Sequence, residues 1–271
     1  MNGNMMGWDL TIPQAISHAE KYNYDGKLIS RELDGSIKET TYGESIKRSK
    51  KLANTLNKLG INLHDRVATI AWNNSRHFET YFGVSGMGAV LHTLNPRYSP
   101  AQLVYILNHA EDKVLIIDPT FIPLVEGVQD QLNFVETIII AAEKSSIPDN
   151  SLNNSCSYDD LLEQETIEYQ WPDLSEDTSS ALCYTSGTTG NPKGVLYSHR
   201  STILHAISIA GTMGFESSSA VLPVVPMFHV NAWGVPYSAL INGFTLVLPG
   251  LSLIHISEPT RRTPISYAVF C

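Results

Sequence analysis

Residues 65–97, DRVATIAWNNSRHFETYFGVSGMGAVLHTLNPR, alternate two β-rich runs with one helical pattern. The runs VATIAW (67–72) and AVLHTL (89–94) predict strands, and RHFETYFGVSGMG (76–88) between them predicts a helix. Neither strand shows a regular apolar and polar alternation, which is typical of strands that are buried on two faces. Because a helix joins two such strands, the stretch predicts a parallel sheet with helices on both faces.

The same alternation extends from this stretch in both directions. Upstream, TYGESIKRSKKLANTLNKLG (41–60) predicts a helix with leucines on one face and Gly60 at its end. Downstream, helices and strands alternate in SPAQLVYILNHAE (99–111), which Ser99 caps, KVLIID (113–118), PTFIPLVEGVQDQL (119–132) and ETIIIAA (136–142). We therefore predict an α/β protein with mostly parallel sheets, whose first α/β subdomain spans residues 1–141.

A polar connection and a second subdomain are predicted after this region. Residues 142–180 are rich in Asn, Ser, Asp and Glu, which is typical of a surface connection, with a short helix inside it. Residues 181–250 predict a second subdomain. Its predicted elements are a strand ending in ALCYT (181–185), a strand near VLYSH (195–199), a helix from Ser201, a strand at AVLPVVP (220–226), a helix from about Asn231 and a strand at FTLVLP (244–249).

Composition and charge exclude several classes of protein. The net charge of −9 disfavours a nucleic-acid partner, because phosphate neutralisation needs clustered Lys and Arg. The three cysteines have neither disulfide-framework nor zinc-site spacing. No secretory signal is predicted at the start, and prolines interrupt the uncharged stretch 217–257, so no transmembrane segment is predicted there. We expect a cytoplasmic protein with small-molecule partners, and leave peripheral membrane association open.

The loop YTSGTTGNPKG (184–194) carries the most informative chemistry. Its glycines expose backbone N–H groups, its hydroxyls can donate to oxygens, and its lysine supplies a positive charge, a combination that suits a polyphosphate. The residues concerned are Thr185, Ser186, Gly187, Thr188, Thr189, Gly190, Lys193 and Gly194. The loop is not a Walker A motif, because Pro192 and Gly194 stand where that motif needs Gly and Ser or Thr.

This loop and its flanks resemble those of the adenylate-forming superfamily. YTSGTTGNPKGVLYSHRS (184–201) is similar to the superfamily's phosphate-loop signature. PMFHVNAWG (226–234) resembles the superfamily's next signature, in the form typical of fatty acyl-CoA synthetases. The upstream stretches, including VYILNHAEDKVLIID (104–118), look like medium- and long-chain fatty-acid–CoA ligases. The resemblance covers residues 1–250. It implies the incomplete N-terminal domain of the acyl-CoA synthetase fold, with ATP and Mg²⁺ and with coenzyme A as co-substrate.

The resemblance also implies a role for each matching residue. Thr185 would lie near Mg²⁺, while Ser186, Gly187, Thr188, Thr189, Gly190 and Lys193 would surround the leaving phosphates. His229 would lie against the adenylate, Trp233 resembles an aromatic gate to the acyl tunnel, and Val230, Asn231 and Gly234 would form its wall. Two structural alternatives stay open: a buried His229 satisfied by backbone, and a Trp233 that only packs in the core.

The later motifs of the family match no residue of this chain. These are the adenine-binding segment with the second Mg²⁺ ligand, the ribose-binding Asp and the C-terminal domain with the catalytic Lys. The catalytic residues therefore stay unknown, and we expect the 271-residue chain by itself to be inactive. The resemblance implies a parent protein that activates a fatty acid to acyl-AMP and transfers it to CoA, and many relatives are homodimers.

Residues 251–271, LSLIHISEPTRRTPISYAVFC, resemble a translated sequencing-library adapter. Two constant adapter segments would give Leu251–Arg261 and Ile265–Cys271 in one frame, separated by a gap of index length. We expect this stretch to be an artefact that packs loosely.

Weaker motifs and other functions stay open as well. His199 and Arg200 could approach phosphate or only start a helix, and Asn95, Pro96 and Arg97 resemble a family turn. Gly86 and Gly88 match only the start of a dinucleotide fingerprint. Alternative functions are an aryl or short-chain CoA ligase, a fatty acyl-AMP ligase and a non-catalytic nucleotide-binding homologue.

Overall fold

The computed structural model describes residues 5, 7–185 and 191–251 of the 271-residue chain. The helices are α1 Ile12–Tyr22, α2 Tyr42–Lys58, α3 Ser75–Gly86, α4 Pro100–Ala110, α5 Ile122–Glu126, α6 Tyr158–Glu163, α7 His199–Met213 and α8 Val235–Asn242. The strands are β1 Lys27–Arg31, β2 Ile37–Thr41, β3 Arg66–Ile70, β4 Val90–Thr93, β5 Asp112–Ile117, β6 Thr137–Ile140, β7 Ser155–Ser157, β8 Ser179–Thr185, β9 Lys193–Ser198, β10 Ala220–Val221 and β11 Thr245–Leu248.

The larger sheet has seven strands in the order β7-β6-β5-β3-β4-β8-β9. All neighbouring strands are parallel except β8 and β9, which form an antiparallel hairpin. Since the carboxyl ends of parallel strands share one edge, the ends of β3, β4, β5 and β8 lie together at that edge. This edge is where ligands bind in open α/β sheets.

Apolar residues fill both faces of the larger sheet. On β5, Val114 and Ile116 join the cluster that includes α1, α2, α3 and α8, whereas Leu115 and Ile117 join the cluster beneath α4 and α5. Successive residues of a strand point to opposite faces, so one apolar run supplies two cores. The predicted α/β fold with mostly parallel sheets and helices on both faces is confirmed.

The smaller sheet has four strands in the order β10-β11-β1-β2. Strand β1 pairs in parallel with β11, for example Leu28 with Leu246, and antiparallel with β2. Both sheets therefore take strands from either side of residues 142–180. The division into subdomains at 1–141, 142–180 and 181–250 stays a prediction.

Local signals explain where the central helices begin. Helix α4 starts with a capping box, in which the Ser99 hydroxyl accepts from the Gln102 N–H and the Gln102 side chain accepts from the Ser99 N–H. Helices α3 and α2 have simple caps, in which the Asn74 side chain accepts from the His77 N–H and the Thr41 hydroxyl accepts from the Glu44 N–H. The predicted helices at 41–60, 76–88 and 99–111 are thus confirmed.

Three predicted elements differ from the structure. The helix predicted at 119–132 breaks into α5 and two short 3-10 turns, because Pro119 and Pro123 lack amide donors and Gly127 interrupts the run. The strand predicted at 220–226 is limited to Ala220–Val221, since Pro223 cannot donate to a ladder. The helix expected from Asn231 begins at Val235, after a left-handed turn.

Membrane crossing finds no support in the described part of the chain. None of its helices combines the length and the apolar character that a membrane span needs.

Candidate functional site

The phosphate-loop motif lies on the hairpin between β8 and β9. Thr185 pairs with Lys193, and Tyr184 pairs with Gly194, so the two strands hold both ends of the loop side by side. Because β8 is parallel to β4, Thr185 lies beyond Thr93 at the carboxyl edge of the larger sheet. The predicted phosphate-binding residues Ser186, Gly187, Thr188, Thr189 and Gly190 lie outside the described residues.

The described ends of the loop offer a hydroxyl and a cation to solvent. The Thr185 hydroxyl is exposed and donates to the Lys193 carbonyl at 3.5 Å. Lys193 is exposed and forms no ion pair with any residue that the structure describes. An exposed hydroxyl oxygen is a donor type that Mg²⁺ accepts, and this ion commonly takes its other ligands from water and phosphate. Elsewhere in the described residues, no group of three or more His, Cys, Asp or Glu could hold a metal ion.

The second motif forms an unusual left-handed turn. Val230, Asn231, Ala232 and Trp233 have φ between 46° and 54°, and Gly234 follows at 70°. For residues other than Gly this conformation costs roughly 1–2 kcal/mol each, because Cβ crowds the next carbonyl oxygen. At Gly234 a Cβ would meet the His205 ring at 2.8 Å, so only glycine fits there. The segment is a local exception to the regular fold, and such exceptions cluster at functional sites.

Asn231 ties this turn to the carboxyl edge of the sheet. Its side-chain oxygen accepts a hydrogen bond from the Thr93 hydroxyl at 3.3 Å and one from the Cys183 thiol at 3.6 Å. Burial raises the pKa of Cys183, which keeps the thiol protonated and able to donate. The structure therefore brings the second motif against β8, two residues before Thr185.

His229 and Trp233 lie on the outside of the described structure. The His229 side chain is exposed, so the alternative of a buried histidine satisfied by backbone is wrong. Trp233 is 43% exposed, and its carbonyl accepts from His205 at 2.8 Å, so packing in the core does not describe it either. Val230 is exposed as well, while Gly234 is buried. Among the described residues, no hydrogen bond joins His229 or Trp233 to Thr185 or Lys193.

The weaker candidates have structural partners. His199 is buried at the first position of α7, where its Nδ1 accepts the Ile12 N–H at 3.1 Å, and burial lowers its pKa to about 4. Arg200 pairs with Glu176, and the Asn95 side chain accepts the Arg97 N–H at 3.0 Å in a turn. These contacts favour the structural interpretation of His199 and Arg200.

Two open cavities lie away from both motifs. One, of about 620 Å³, lies beside Glu32 and Arg76, and the other, of about 520 Å³, lies along β7 beside Cys156 and Lys144. None of the predicted site residues lines either cavity.

Thr93 and Cys183 are site neighbours that the sequence did not indicate. Thr93 ends β4 and Cys183 is its register partner on β8. Their position at the carboxyl ends of two adjacent parallel strands is the signal that could have found them.

Comparison with known proteins defines the family. Residues 18–255 match the model of the family described as AMP-binding enzyme. The chain belongs to this family.

Two curated relatives show which AMP-binding enzymes the chain is similar to. The chain is 47% identical over 255 residues to the medium-chain-fatty-acid–CoA ligase of Ectopseudomonas oleovorans, which covers 93% of this chain and 47% of the relative. It is also 47% identical over 255 residues to the 3-methylmercaptopropionyl-CoA ligase of Ruegeria pomeroyi, with the same coverage. The chain thus spans about half the length of the curated relatives it matches.

Solved structures agree on the fold. The N-terminal domain of FACL13 from Mycobacterium tuberculosis superposes with a TM-score of 0.78 at 23% identity, over 91% of this chain and 59% of that one. The anthranilate CoA ligase AuaEII, solved in complex with anthranoyl-AMP, gives a TM-score of 0.76 at 22% identity, over 86% of this chain and 44% of that one. The similarity confirms that the fold is that of the N-terminal part of acyl-CoA synthetases.

Proposed function

We propose that this chain supplies the phosphate-binding loop and part of the acyl pocket of an AMP-forming acid–CoA ligase acting on medium- or long-chain fatty acids. The observation that carries the proposal is the β8–β9 hairpin, which places the Thr185 hydroxyl and Lys193 side by side at the carboxyl edge of a parallel sheet. Asn231 fastens the second motif to the same edge. A nucleotide and a carboxylic acid would meet between these two elements.

The reaction would proceed in two balanced steps. First, a carboxylate oxygen attacks the α-phosphorus of ATP, and the bond to the β-phosphate oxygen breaks to release pyrophosphate. Second, the sulfur of coenzyme A attacks the acyl carbonyl, and the bond to the AMP oxygen breaks. The thiol proton of coenzyme A passes to water, and AMP leaves as the phosphate anion.

The residues of this chain would act mainly on the leaving phosphates. Lys193 would balance negative charge on the β- and γ-phosphates, and the loop hydroxyls and amides at 185–190 would donate to their oxygens. Thr185 would help hold Mg²⁺, which supplies further charge neutralisation when bound. His229, Val230, Asn231, Trp233 and Gly234 would border the acyl-adenylate, with the exposed His229 and Trp233 facing it.

A binding experiment tests the phosphate-loop assignment. Isothermal titration of the purified chain with Mg²⁺-pyrophosphate and with MgATP should give saturable binding, which Lys193→Ala weakens by about tenfold or more, the loss expected for a charge-assisted hydrogen bond. Lys144→Ala, which removes an exposed lysine outside the motifs, should leave the affinity unchanged. Equal affinities for the wild type and Lys193→Ala would refute the assignment.

The choice of acid needs its own measurement. The fatty-acid assignment is supported by the sequence of residues 226–234 and by the similarity to the medium-chain-fatty-acid–CoA ligase. The sequence identity to the 3-methylmercaptopropionyl-CoA ligase is, however, equally high. Turnover of the whole ligase that carries this chain should be compared on decanoate, palmitate and 3-methylmercaptopropionate. Higher kcat/KM on the sulfur acid would replace the fatty-acid proposal with the alternative.

The isolated chain provides a further test. We propose that it forms no acyl-CoA by itself, because no residue in it matches the family's C-terminal lysine motif. ATP- and CoA-dependent turnover by the purified 271-residue chain would refute this. Binding without turnover in the whole ligase would instead favour a non-catalytic nucleotide-binding homologue.

A further inference from the structure

Tyr184 immediately precedes Thr185 and is held by three elements outside its own hairpin. Its carbonyl accepts a hydrogen bond from the Tyr98 hydroxyl at 3.0 Å, ahead of α4. Its hydroxyl shares a 2.6 Å hydrogen bond with Nδ1 of His109 on α4. Its ring lies 5.2 Å from the ring of His92 on β4, centroid to centroid. The backbone, the ring and the hydroxyl of one residue are thus fixed separately.

The His92 ring is hydrogen-bonded to a buried ionisable partner, Asp112. His92 Nδ1 and the Asp112 carboxylate share a hydrogen bond of 2.8 Å, and both side chains are fully buried. The two residues belong to the strands on either side of β3, where the register partner of His92 is Ala68, whose small side chain leaves room for them to meet. Burial raises the pKa of Asp112, opposed by His92.

This buried pair is not fully satisfied. Within the described residues, His92 Nε2 and the second oxygen of Asp112 have no hydrogen-bond partner. A buried polar pair of this kind costs stability compared with apolar residues of similar volume. Its benefit is geometric, because the hydrogen bond to Asp112 fixes the plane of the His92 ring on which Tyr184 lies.

Tyr184 also contacts the strand that leaves the loop. A Cβ at Gly194 would lie 3.2 Å from Cζ of Tyr184, so the absence of a side chain there lets the ring approach β9. The Tyr184 ring on β8 therefore packs against β9 at the last pair but one before the loop. A binding residue such as Thr185, whose backbone is fixed in advance, loses less conformational freedom when a ligand binds.

We propose that Tyr184 is a positioning residue for the phosphate loop, oriented through its hydroxyl by His109, through its carbonyl by Tyr98 and through its ring by the His92–Asp112 pair. The proposal rests on the proposed function, because it concerns the affinity of the same loop for a polyphosphate. Tyr184 itself makes no contact with ligand in this account. It fixes the direction in which β8 presents Thr185.

Removal of the Tyr184 hydroxyl alone distinguishes a positioning role from ordinary packing of the ring. His109 is exposed, so the hydrogen bond lies near the surface, and Tyr184→Phe keeps the ring on His92. Tyr105→Phe is a matched control, because the Tyr105 ring lies 5.3 Å from the His109 ring, centroid to centroid, and its hydroxyl has no hydrogen-bond partner among the described residues. Only Tyr184→Phe and His109→Ala break the bond that orients β8.

The experiment measures the purified full chain in two ways. We expect amide hydrogen exchange of residues 184–194 to be about fivefold faster in Tyr184→Phe and in His109→Ala than in the wild type, as expected for one lost hydrogen bond. Titration with Mg²⁺-pyrophosphate should show a similar fold loss in affinity. Because both variants remove the same bond, the double variant should be no worse than either single one. Thermal midpoints should match that of Tyr105→Phe.

Each outcome decides between the proposals. Exchange and affinity in Tyr184→Phe that equal those of the wild type, or effects that Tyr105→Phe reproduces, would overturn the positioning role. If the wild-type chain binds no pyrophosphate, the proposed function fails, and the exchange comparison still decides whether Tyr184 holds the loop. Faster exchange with unchanged affinity would also overturn the proposal, because the fixed ends would then not matter for binding.

Discussion

The central strands β3 to β5 and the hairpin strand β9 belong to one sheet but meet solvent very differently. Residues of β3 to β5 are almost all buried, and the polar ones among them are bonded, as His92 is to Asp112. On β9, by contrast, Val195 is 40% and Leu196 is 60% exposed, and α7 beside it exposes Leu204 and Ile207. Apolar composition therefore predicts burial in the first region and fails in the second.

The largest expected effect comes from a buried carboxylate on α3, the helix that joins β3 to β4 in the first region. Glu79 on α3 is 1% exposed, bonds Arg48 at 2.7 Å and accepts from the Tyr158 hydroxyl at 2.9 Å. Glu79→Ala should lower the free energy of unfolding by about 3–5 kcal/mol, because the part-buried Arg48 would keep only Asp159 and the buried Tyr158 hydroxyl would lose its acceptor. Urea unfolding measures this loss. Glu44→Ala, which breaks an exposed pair with Lys47, should cost less than about 1 kcal/mol, and equal costs would contradict the comparison.

The second effect is a pH dependence from Asp118 at the end of β5. Burial raises its pKa from 3.8 to about 7, although its carboxylate accepts from the Trp72 N–H at 2.7 Å and from Asn74. Because the pKa of Asp118 is higher in the folded than in the unfolded state, its protonation stabilises the fold. This stabilisation is fully present below pH 3.8 and is lost as the pH rises through about 7. The difference between these two pKa values corresponds to a change of up to about 4 kcal/mol in the free energy of unfolding.

Asp118→Asn removes this titration and tests it. The variant should be more destabilised relative to the wild type at pH 4 than at pH 8, as measured by urea unfolding at both values. An identical difference in the free energy of unfolding at the two pH values would show that Asp118 titrates normally.

The third effect concerns the strained turn at residues 230–234, which follows the second region in the chain and packs against α7. Val230 has φ 46°, where a β-branched residue is a backbone outlier, whereas Asn tolerates that conformation. Val230→Asn should raise the free energy of unfolding by about 1 kcal/mol. Val195→Asn, in extended backbone and similarly exposed, should give no gain. Stabilisation by both variants, or by neither, would mean that the turn stores no strain.

The smallest effect on stability should come from the exposed edge strand. Leu196→Lys places a charge on β9 and should change the free energy of unfolding by less than about 0.5 kcal/mol. It should nevertheless reduce self-association and dye binding, because charged residues protect sheet edges. Light scattering and dye fluorescence measure this. Ser208→Lys adds the same charge to exposed α7 without removing apolar surface, and an equal reduction there would show that net charge alone is responsible.

The sequence predicted the first region well for a physical reason. Strands β3 to β6 are short apolar runs between helices with clear caps, so local preference and burial agree. The failures lie in the part of the chain that follows the second region. Four residues other than Gly in left-handed backbone at 230–233 oppose local preference, and the positions 220–226 are apolar without a ladder to join.

The candidate site also contains features that the sequence indicated and features that it did not. The loop and PMFHVNAWG were identified because each is a contiguous signature. The partners of Tyr184 were not, because Tyr98 and His109 lie 86 and 75 positions away and no local pattern joins them. Asn231 was found as part of its motif, but its bonds to Thr93 and Cys183 depend on strand order, which one sequence does not specify.

The pairing of β1 with β11 has a consequence during protein synthesis. Strand β1 ends at Arg31 and its parallel neighbour begins at Thr245, so the neighbour leaves the ribosome roughly 200 residues later. At about 5–20 residues per second, the β1–β2 hairpin must wait roughly 10–40 s for that partner. The larger sheet can assemble β3 to β7 in the meantime, so the smaller sheet is completed only after most strands of the larger one have been made.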